Sequence, residues 1–112
     1  MNALMAREVD LESFTAAWRA GAVILDVREP EEYRAGHVPG AQLAPLSAPA
    51  AALPHLPRGR QVYVICASGN RSQWAADRLA AAGMDTLSVA GGTRGWAGAG
   101  RPIVTGSTPG TA

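Results

Sequence analysis

The chain has 112 residues and a mass of 11.5 kDa, a length that predicts one domain with a buried core and leaves no room for a second domain. Hydrophobic residues make up 47% of the chain and charged residues 17%, a balance that is typical of globular proteins and excludes an intrinsically disordered chain. Ten basic residues, all of them arginine, and nine acidic residues give a formal net charge of +1, and the two signs are interspersed, which speaks against a nucleic-acid-binding surface.

Short strands alternate with helices in the first half of the sequence. In chain order we predict a strand at 8–9, a helix between Asp10 and Gly21, a strand at 23–27, a helix at 30–34 and a brief strand at 41–43. Asp10 is a suitable N-cap, and Pro30 suits the first turn of its helix. Residues 45–57 contain four prolines, so local propensity allows at most a frayed helical turn there.

The same alternation continues in the second half. In chain order we predict a strand at 61–66, a turn at 68–70, a helix at 72–82, a strand at 86–89, a turn at 91–92 and a short helix around Trp96. Residues 98–112 are rich in Gly, Pro, Ser and Thr and are expected to be loosely ordered. Strands that alternate with helices, the clearer strands being apolar rather than alternating in polarity, predict an α/β fold with a parallel sheet covered on both faces.

The sequence contains one cysteine, Cys66, at the end of the clearest predicted strand. Open parallel sheets place their functional sites at the carboxyl ends of strands, so this position favours a functional thiol. A single cysteine excludes an intramolecular disulfide and a structural zinc site. Because the sequence also shows no apolar segment typical of a secretory signal or a membrane span, we expect a cytoplasmic protein that does not associate with membranes.

Residues 66–72 have the sequence Cys-Ala-Ser-Gly-Asn-Arg-Ser, a turn between a strand and a helix. Backbone N–H groups in such a turn can point inward and bind an anion, and the helix N-terminus adds partial positive charge. Ser68, Gly69 and Asn70 suit the turn because they are small or tolerate left-handed backbone angles. We therefore expect the pKa of the Cys66 thiol to lie below that of a free thiol, so that the thiolate forms readily. The alternative is that Cys66 is a small buried hydrophobic residue.

The last two residues of this loop each have two interpretations. Arg71 either ties the loop to a carboxylate or contacts a substrate with its fixed positive charge. Ser72 is expected to cap the following helix rather than to take part in catalysis.

Three sequence motifs resemble the rhodanese domain family. They are Ile24 to Tyr33 (ILDVREPEEY) with Gly36 to Ala41 (GHVPGA), then Cys66 to Ser72 (CASGNRS), and finally Gly91 to Trp96 (GGTRGW) with Gly100 to Ile103 (GRPI). The resemblance covers residues 9–106 in the right order. It implies a three-layer α/β domain over residues 1–106, with a five-stranded parallel sheet flanked by helices on both faces, and a flexible tail at 107–112. It also favours a short helix in the proline-rich segment.

The resemblance implies a sulfurtransferase without a metal or an organic cofactor. Cys66 would accept the outer sulfur of a small donor, thiosulfate or a low-molecular-weight persulfide, and residues 67–72 would bind the resulting persulfide. Cyanide, a thiol or a protein acceptor would then remove the sulfur. Two alternatives remain, a partner-specific persulfide carrier or binding module, and a phosphatase or arsenate reductase. Enzymes of the latter kind that share the fold have five residues between cysteine and arginine, whereas four separate Cys66 from Arg71, which favours sulfur.

One position departs from the family pattern. Many members that use thiosulfate carry an arginine directly after the cysteine, where this chain has Ala67. Arg71, Arg94 and Arg28 are the candidates for supplying a positive charge in its place.

Several further residues are expected to have supporting or structural roles. Asp26 and Arg28 lie at the end of a predicted buried strand, where an ionised aspartate needs a partner, and are expected to support the loop or to pair structurally. Arg94 is a further supporting residue. We expect His37 to make a structural hydrogen bond, His55 to be solvated and Trp96 to lie in the core. Gly91 and Gly92 are expected to form a sharp turn that faces the loop. Trp74 either packs over Arg78 or contacts a protein acceptor.

Overall fold

The computed structural model describes residues 6–48, 56 and 59–110, which contain five strands and four helices. In chain order these are β1 (Arg7–Val9), α1 (Leu11–Arg19), β2 (Val23–Asp26), α2 (Pro30–Ala35), β3 (Gln42–Leu43), β4 (Gln61–Ile65), α3 (Asn70–Ala81), β5 (Asp85–Val89) and α4 (Gly92–Gly98). Each predicted strand is found with its ends shifted by no more than one residue. Most of the proline-rich segment, with its expected helix and His55, lies outside the described residues.

All five strands are parallel and form one sheet in the order β1-β5-β4-β2-β3. On one face, Ala75 and Ala76 of α3 pack with Leu25 and Val64 of the sheet. On the other face, Phe14 of α1 and Trp96 of α4 pack against the sheet. The sheet residues in this cluster include Ile24, Ile65 and Val89. The predicted three-layer α/β architecture is therefore confirmed. In the part of the chain that the structure describes, no helix is long and apolar enough to span a membrane.

The start of α3 differs from the prediction. The helix begins at Asn70, two residues early, and its N-cap is Gly69, whose φ of 113° lies in the left-handed region that favours glycine. Ser72 therefore lies inside the first turn, and the prediction that it is the cap residue is wrong. The error has a physical reason, since the loop turns at a glycine backbone rather than through a side-chain hydrogen bond.

The segment after α4 returns to the domain. Val104 forms an antiparallel bridge with His37, and the carbonyl of Pro109 accepts a hydrogen bond from the Gly40 amide at 2.8 Å. Residues expected to be loosely ordered thus make defined contacts as far as Pro109, because backbone groups of the largely buried 36–40 turn find hydrogen-bond partners there. The domain limit at residue 106 and the flexibility of 107–112 stay predictions.

Candidate active site

The carboxyl ends of three neighbouring strands supply the site. β2 ends at Asp26, β4 ends one residue before Cys66, and β5 leads into Gly91. Because these strands are adjacent and parallel, their ends lie at one edge of the sheet. Chain segments that are distant in sequence are thereby brought around the single cysteine.

The Cys66 thiol is buried, with 1% of the residue exposed, but its neighbours are polar as well as apolar. The Gly69 amide donates a hydrogen bond to Sγ at 3.1 Å, and the Ser72 Oγ lies 3.5 Å from Sγ. Ser68 and Asn70, on either side of Gly69, are exposed, so the loop over the sulfur faces solvent. This arrangement differs from that of a purely structural cysteine sealed among aliphatic groups.

Opposing effects act on the pKa of the Cys66 thiol. Burial raises the pKa, whereas hydrogen bonds from the Ser72 side chain and from the backbone of Ser72, Gly69 and Ser68 lower it. The hydrogen bonds prevail, and the pKa lies below its ordinary value. A lowered thiol pKa is what we expect if the loop stabilises the thiolate.

A second buried hydroxyl, that of Ser88, contacts the Ser72 side chain. The Ser88 side chain, fully buried on β5, lies 2.8 Å from the Ser72 hydroxyl, which also donates to the Gly69 carbonyl at 3.1 Å. Two buried hydroxyls and the thiol therefore form one connected polar group under the loop.

Arg71 is held by a carboxylate. Its guanidinium makes two hydrogen bonds with Glu32 of α2, at 2.8 and 2.9 Å. The hydrogen bonds from Arg71 lower the pKa of Glu32 to about 2, against a smaller opposing effect of burial. Of the two interpretations of Arg71, the structure contains the ion pair that ties the loop to a neighbouring helix.

Asp26 and Arg28 form a buried ion pair at the end of β2. Arg28 donates from Nη2 to Asp26 Oδ2 at 2.7 Å and from Nε to Oδ1 at 2.9 Å. The same Nη2 donates to the Gly36 carbonyl at 2.8 Å, which fixes the chain after α2. Because both charged groups are buried and paired, they hold the backbone beside the loop in place.

The N-terminus of α4 is joined to the cysteine loop by main-chain hydrogen bonds. The Thr93 amide donates to the Cys66 carbonyl at 2.8 Å, and the Arg94 amide donates to the Ala67 carbonyl at 3.0 Å. The contact requires glycine at position 92, where φ is +58° and a Cβ atom would lie 2.5 Å from the Cys66 carbonyl oxygen. The sharp turn predicted at Gly91 and Gly92 is present and faces the loop.

A cleft of about 380 Å³ opens beside this junction. Its walls include Ala67, Arg94, Arg28, Glu32 and Ile103. No group of three or more His, Cys, Asp or Glu side chains that could hold a metal ion occurs within residues 6–48, 56 and 59–110.

The remaining candidates have mainly structural surroundings. His37 is fully buried, with its ring nitrogens 2.7 and 2.9 Å from the carbonyl oxygens of Tyr33 and Thr108. Trp96 is fully buried against Phe14. Trp74 is 54% exposed, and the guanidinium carbon of Arg78 lies 4.6 Å from its ring centre, so its predicted packing over Arg78 is present.

Three residues near the loop were not predicted from the sequence. They are Glu32, Ser88 and Thr93, whose hydroxyl donates to the Cys66 carbonyl at 3.1 Å. A hydroxyl between the apolar residues Leu87 and Val89 of a predicted strand was the available signal for Ser88, since buried polar groups need partners. Glu32 gave no such signal, because its partner lies 39 residues further along the chain.

Comparisons with known proteins find relatives whose names refer to sulfur transfer or sulfur carriage. The chain is 33% identical over 103 residues to a sulfurtransferase of Allochromatium vinosum, a match that covers 89% of this chain and 96% of that protein. It is 36% identical over 100 residues to a Bacillus subtilis (strain 168) protein named as a sulfur carrier protein, YrkF, with 87% of this chain covered. The chain spans only 54% of that relative.

A crystal structure and a family-level match point the same way. The structure of a rhodanese-related protein from Thermoplasma volcanium superposes with a TM-score of 0.81 at 31% identity, covering 89% of this chain and 99% of that one. The sequence pattern of the rhodanese-like domain matches residues 10–99. The chain therefore belongs to the rhodanese-like domain family.

Proposed function

We propose that this protein is a sulfurtransferase that moves sulfane sulfur through a persulfide on Cys66. The observation that carries the proposal is the position of the Cys66 Sγ, within hydrogen-bond distance of the Gly69 amide and the Ser72 hydroxyl. These donors stabilise negative charge on divalent sulfur, both in the thiolate and in the outer sulfur of a persulfide. The proposed setting is the reducing cytoplasm, where a lone thiol stays reduced.

In the first half-reaction, the Cys66 thiolate attacks the outer sulfur of thiosulfate. A bond forms between Sγ and that sulfur, while the sulfur–sulfur bond of thiosulfate breaks and its electron pair leaves with sulfite. The product is the Cys66 persulfide anion, so charge is conserved and no oxidant is needed. A low-molecular-weight persulfide reacts in the same way and releases its thiolate.

In the second half-reaction, an acceptor nucleophile attacks the outer sulfur of the persulfide. Cyanide gives thiocyanate, and a thiol gives a new persulfide, while the electron pair of the broken bond returns to Cys66 as thiolate. The 112 residues contain a single cysteine, so an acceptor thiol comes from outside them. The acceptor is therefore a small molecule or a cysteine of a partner protein.

A second candidate is a persulfide carrier that serves one partner and turns over small molecules poorly. The relative named as a sulfur carrier protein favours this possibility. The exposed Trp74 on α3 is available for contact with such a partner. Steady turnover with free donors and small acceptors favours the enzyme, whereas a stable persulfide that is discharged only by a protein favours the carrier.

The persulfide is directly testable by intact-mass spectrometry. After exposure to thiosulfate, or to a small persulfide, and removal of excess donor, the wild-type chain should gain the mass of one sulfur atom. Cyanide or a thiol should then remove that mass. The reason is that the loop stabilises the persulfide anion long enough for it to be isolated.

Cys66→Ser is the matched control, because it exchanges one atom at a buried position. It should gain no sulfur and should keep the thermal unfolding midpoint of the wild type within a few degrees, about the effect of 1 kcal/mol or less. If the wild-type mass stays unchanged with both donors, the proposed function is wrong.

A further inference from the structure

The cleft beside the cysteine loop is larger than the smallest substrates of the proposed reaction need. Its volume of about 380 Å³ falls within the range of about 300–1,000 Å³ that is typical of sites for small organic molecules. At about 30 Å³ for one water molecule, the cleft has room for about twelve groups of that size, whereas cyanide and thiosulfate consist of only a few heavy atoms. A substrate that fills the cleft therefore carries an organic group in addition to its sulfur.

Much of the cleft wall next to the loop is apolar. The wall includes Ala67, the residue that follows the nucleophile, so a molecule whose sulfur reaches Cys66 places its other atoms in the cleft. Two charged residues of the wall, Arg28 and Glu32, are each paired with an opposite charge outside it. The wall positions without polar side-chain atoms are Ala35, Gly36, Ala67, Ala97 and Ile103. An apolar group that packs against them is removed from water, which favours its binding.

Ile103 is the largest apolar residue of this wall, and its position is fixed by its neighbours. It is 37% exposed, and among the described residues it is the one exposed large hydrophobic side chain that lines the cleft. Its side chain is seated against Gly36, where an added Cβ atom would lie 2.9 Å from Ile103 Cγ2. The next residue, Val104, exchanges two main-chain hydrogen bonds with His37, at 2.9 and 3.0 Å. Because this backbone is already fixed and a β-branched side chain has few rotamers, contact with a ligand costs little conformational entropy.

We propose that Ile103 is a specificity-determining residue that favours sulfur acceptors with an apolar group, namely small alkyl thiols. The inference rests on the proposed sulfur transfer and adds the class of acceptor. The thiol R–SH attacks the outer sulfur of the Cys66 persulfide anion, and a bond forms between these two sulfurs. The bond from the outer sulfur to Sγ breaks, and its electron pair returns to Cys66 as thiolate. The product is the persulfide R–S–SH, so atoms and charge balance, and the alkyl group packs against Ile103 during the step.

The experiment measures how fast alkyl thiols of increasing length discharge the persulfide. The wild type is loaded with sulfur from thiosulfate or a small persulfide, freed of donor and mixed with an excess of ethanethiol, propanethiol or butanethiol. Intact mass then reports the loss of one sulfur atom with time. The three thiols have nearly the same intrinsic reactivity, so differences between them report contact with the alkyl chain. We expect the second-order rate constant to rise about two- to threefold with each methylene that the cleft buries.

Ile103→Ala should lower the rate constant for butanethiol about fivefold, because it removes most of the apolar contact. The rate constant for cyanide, which has no alkyl group, should stay unchanged. Ile103→Leu retains the same number of carbons and should keep the butanethiol rate constant within about twofold of the wild type.

Leu46→Ala is the matched control, since Leu46 is also 37% exposed but lines a separate groove. It should discharge all acceptors like the wild type. The Ile103 proposal is overturned if the wild type shows no dependence on chain length or is discharged by none of the thiols. It is also overturned if Ile103→Ala slows cyanide as much as butanethiol, or if it behaves like Leu46→Ala. Failure of the wild type to gain sulfur from either donor would instead overturn the underlying function.

Discussion

The Ser72 hydroxyl has one hydrogen and three polar neighbours, the Cys66 Sγ, the Gly69 carbonyl and the Ser88 hydroxyl. When Cys66 is a thiol, Sγ–H can donate to Ser72, and Ser72 donates to the carbonyl. When Cys66 is a thiolate, the same hydroxyl can turn and donate to the sulfur. Ser88 supplies a compensating hydrogen bond to the Ser72 oxygen in either state. The hydroxyl pair therefore adapts to the charge on the sulfur without any backbone movement.

Replacing Ser72 by alanine should raise the pKa of the Cys66 thiol. The variant loses the side-chain hydrogen bond that lowers this pKa while the opposing effect of burial remains. The measurement is the ultraviolet absorbance of the thiolate as a function of pH. No other thiol contributes to this signal, because the sequence contains no other cysteine.

The Cys66→Ser protein is the spectroscopic blank for this titration. Ser88→Ala should shift the midpoint in the same direction but less, because Ser88 acts on the sulfur only through Ser72. An unchanged midpoint in Ser72→Ala would mean that the amides alone set the pKa and that the hydroxyl is a packing group.

At the level of elements, α4 and the cysteine loop are joined by main-chain hydrogen bonds, and these form only because position 92 has no side chain. Gly92→Ala should destabilise the fold by about 2–4 kcal/mol, because the left-handed backbone and the overlap with the Cys66 and Ala67 carbonyls both oppose a Cβ atom. It should also slow persulfide formation, since the loop must move away from α4. Denaturant unfolding and single-turnover mass measurements test the two effects.

Gly98→Ala offers the comparison within the same helix. A Cβ atom there meets nothing within 4 Å beyond the neighbouring residues and backbone of its own helix, so the variant should be as stable as the wild type or slightly more stable. Equal losses in the two variants would contradict the steric argument.

The elements were largely predictable because their signals are local. The apolar runs that became β2 and β4 and the N-cap at Asp10, which accepts from the Ser13 amide at 2.8 Å, are read from neighbouring residues. The start of α3 was not predictable in this way, because Ser72 is a plausible N-cap residue and competes with the backbone turn at Gly69. The Gly69 amide also donates to the Cys66 sulfur, a contact that the helix propensity of neither Gly69 nor Ser72 contains.

For the molecule as a whole, the Glu32–Arg71 pair links α2 to α3 and couples stability to pH. The pKa of Glu32 in the folded state, about 2, lies below its ordinary value of 4.5, so the unfolded chain binds more protons between these values. The stabilisation is present above about pH 4.5 and is lost as the pH falls towards about 2. Because both side chains are more than one third exposed, we expect a contribution of about 1 kcal/mol or less.

Chemical denaturation between pH 2 and pH 6 tests this dependence. Glu32→Gln should lower stability near pH 6 and flatten the profile at acid pH. Glu31→Gln, a substitution at the exposed neighbouring position, is the matched control and should keep the wild-type profile. A Glu32→Gln profile that runs parallel to the wild type over the whole range would contradict the linkage.

Partners that are far apart in sequence could not be predicted individually. The position of Cys66 followed from a strand and a turn, and the Asp26–Arg28 pair from two neighbouring residues. In contrast, the pairing of Arg71 with Glu32 depends on how α2 and α3 are placed by the sheet. The sequence indicated that Arg71 needs a carboxylate or an anion, and only the fold determines which one it meets.

The junction between α4 and the cysteine loop consists of main-chain hydrogen bonds from Thr93 and Arg94. Its geometry is therefore largely independent of which side chain occupies position 94. Substitutions at that single position should therefore leave the main-chain surroundings of the reactive sulfur in place. The fold thus offers protein engineers a position in the wall of the cleft that can be changed without rebuilding the cysteine loop.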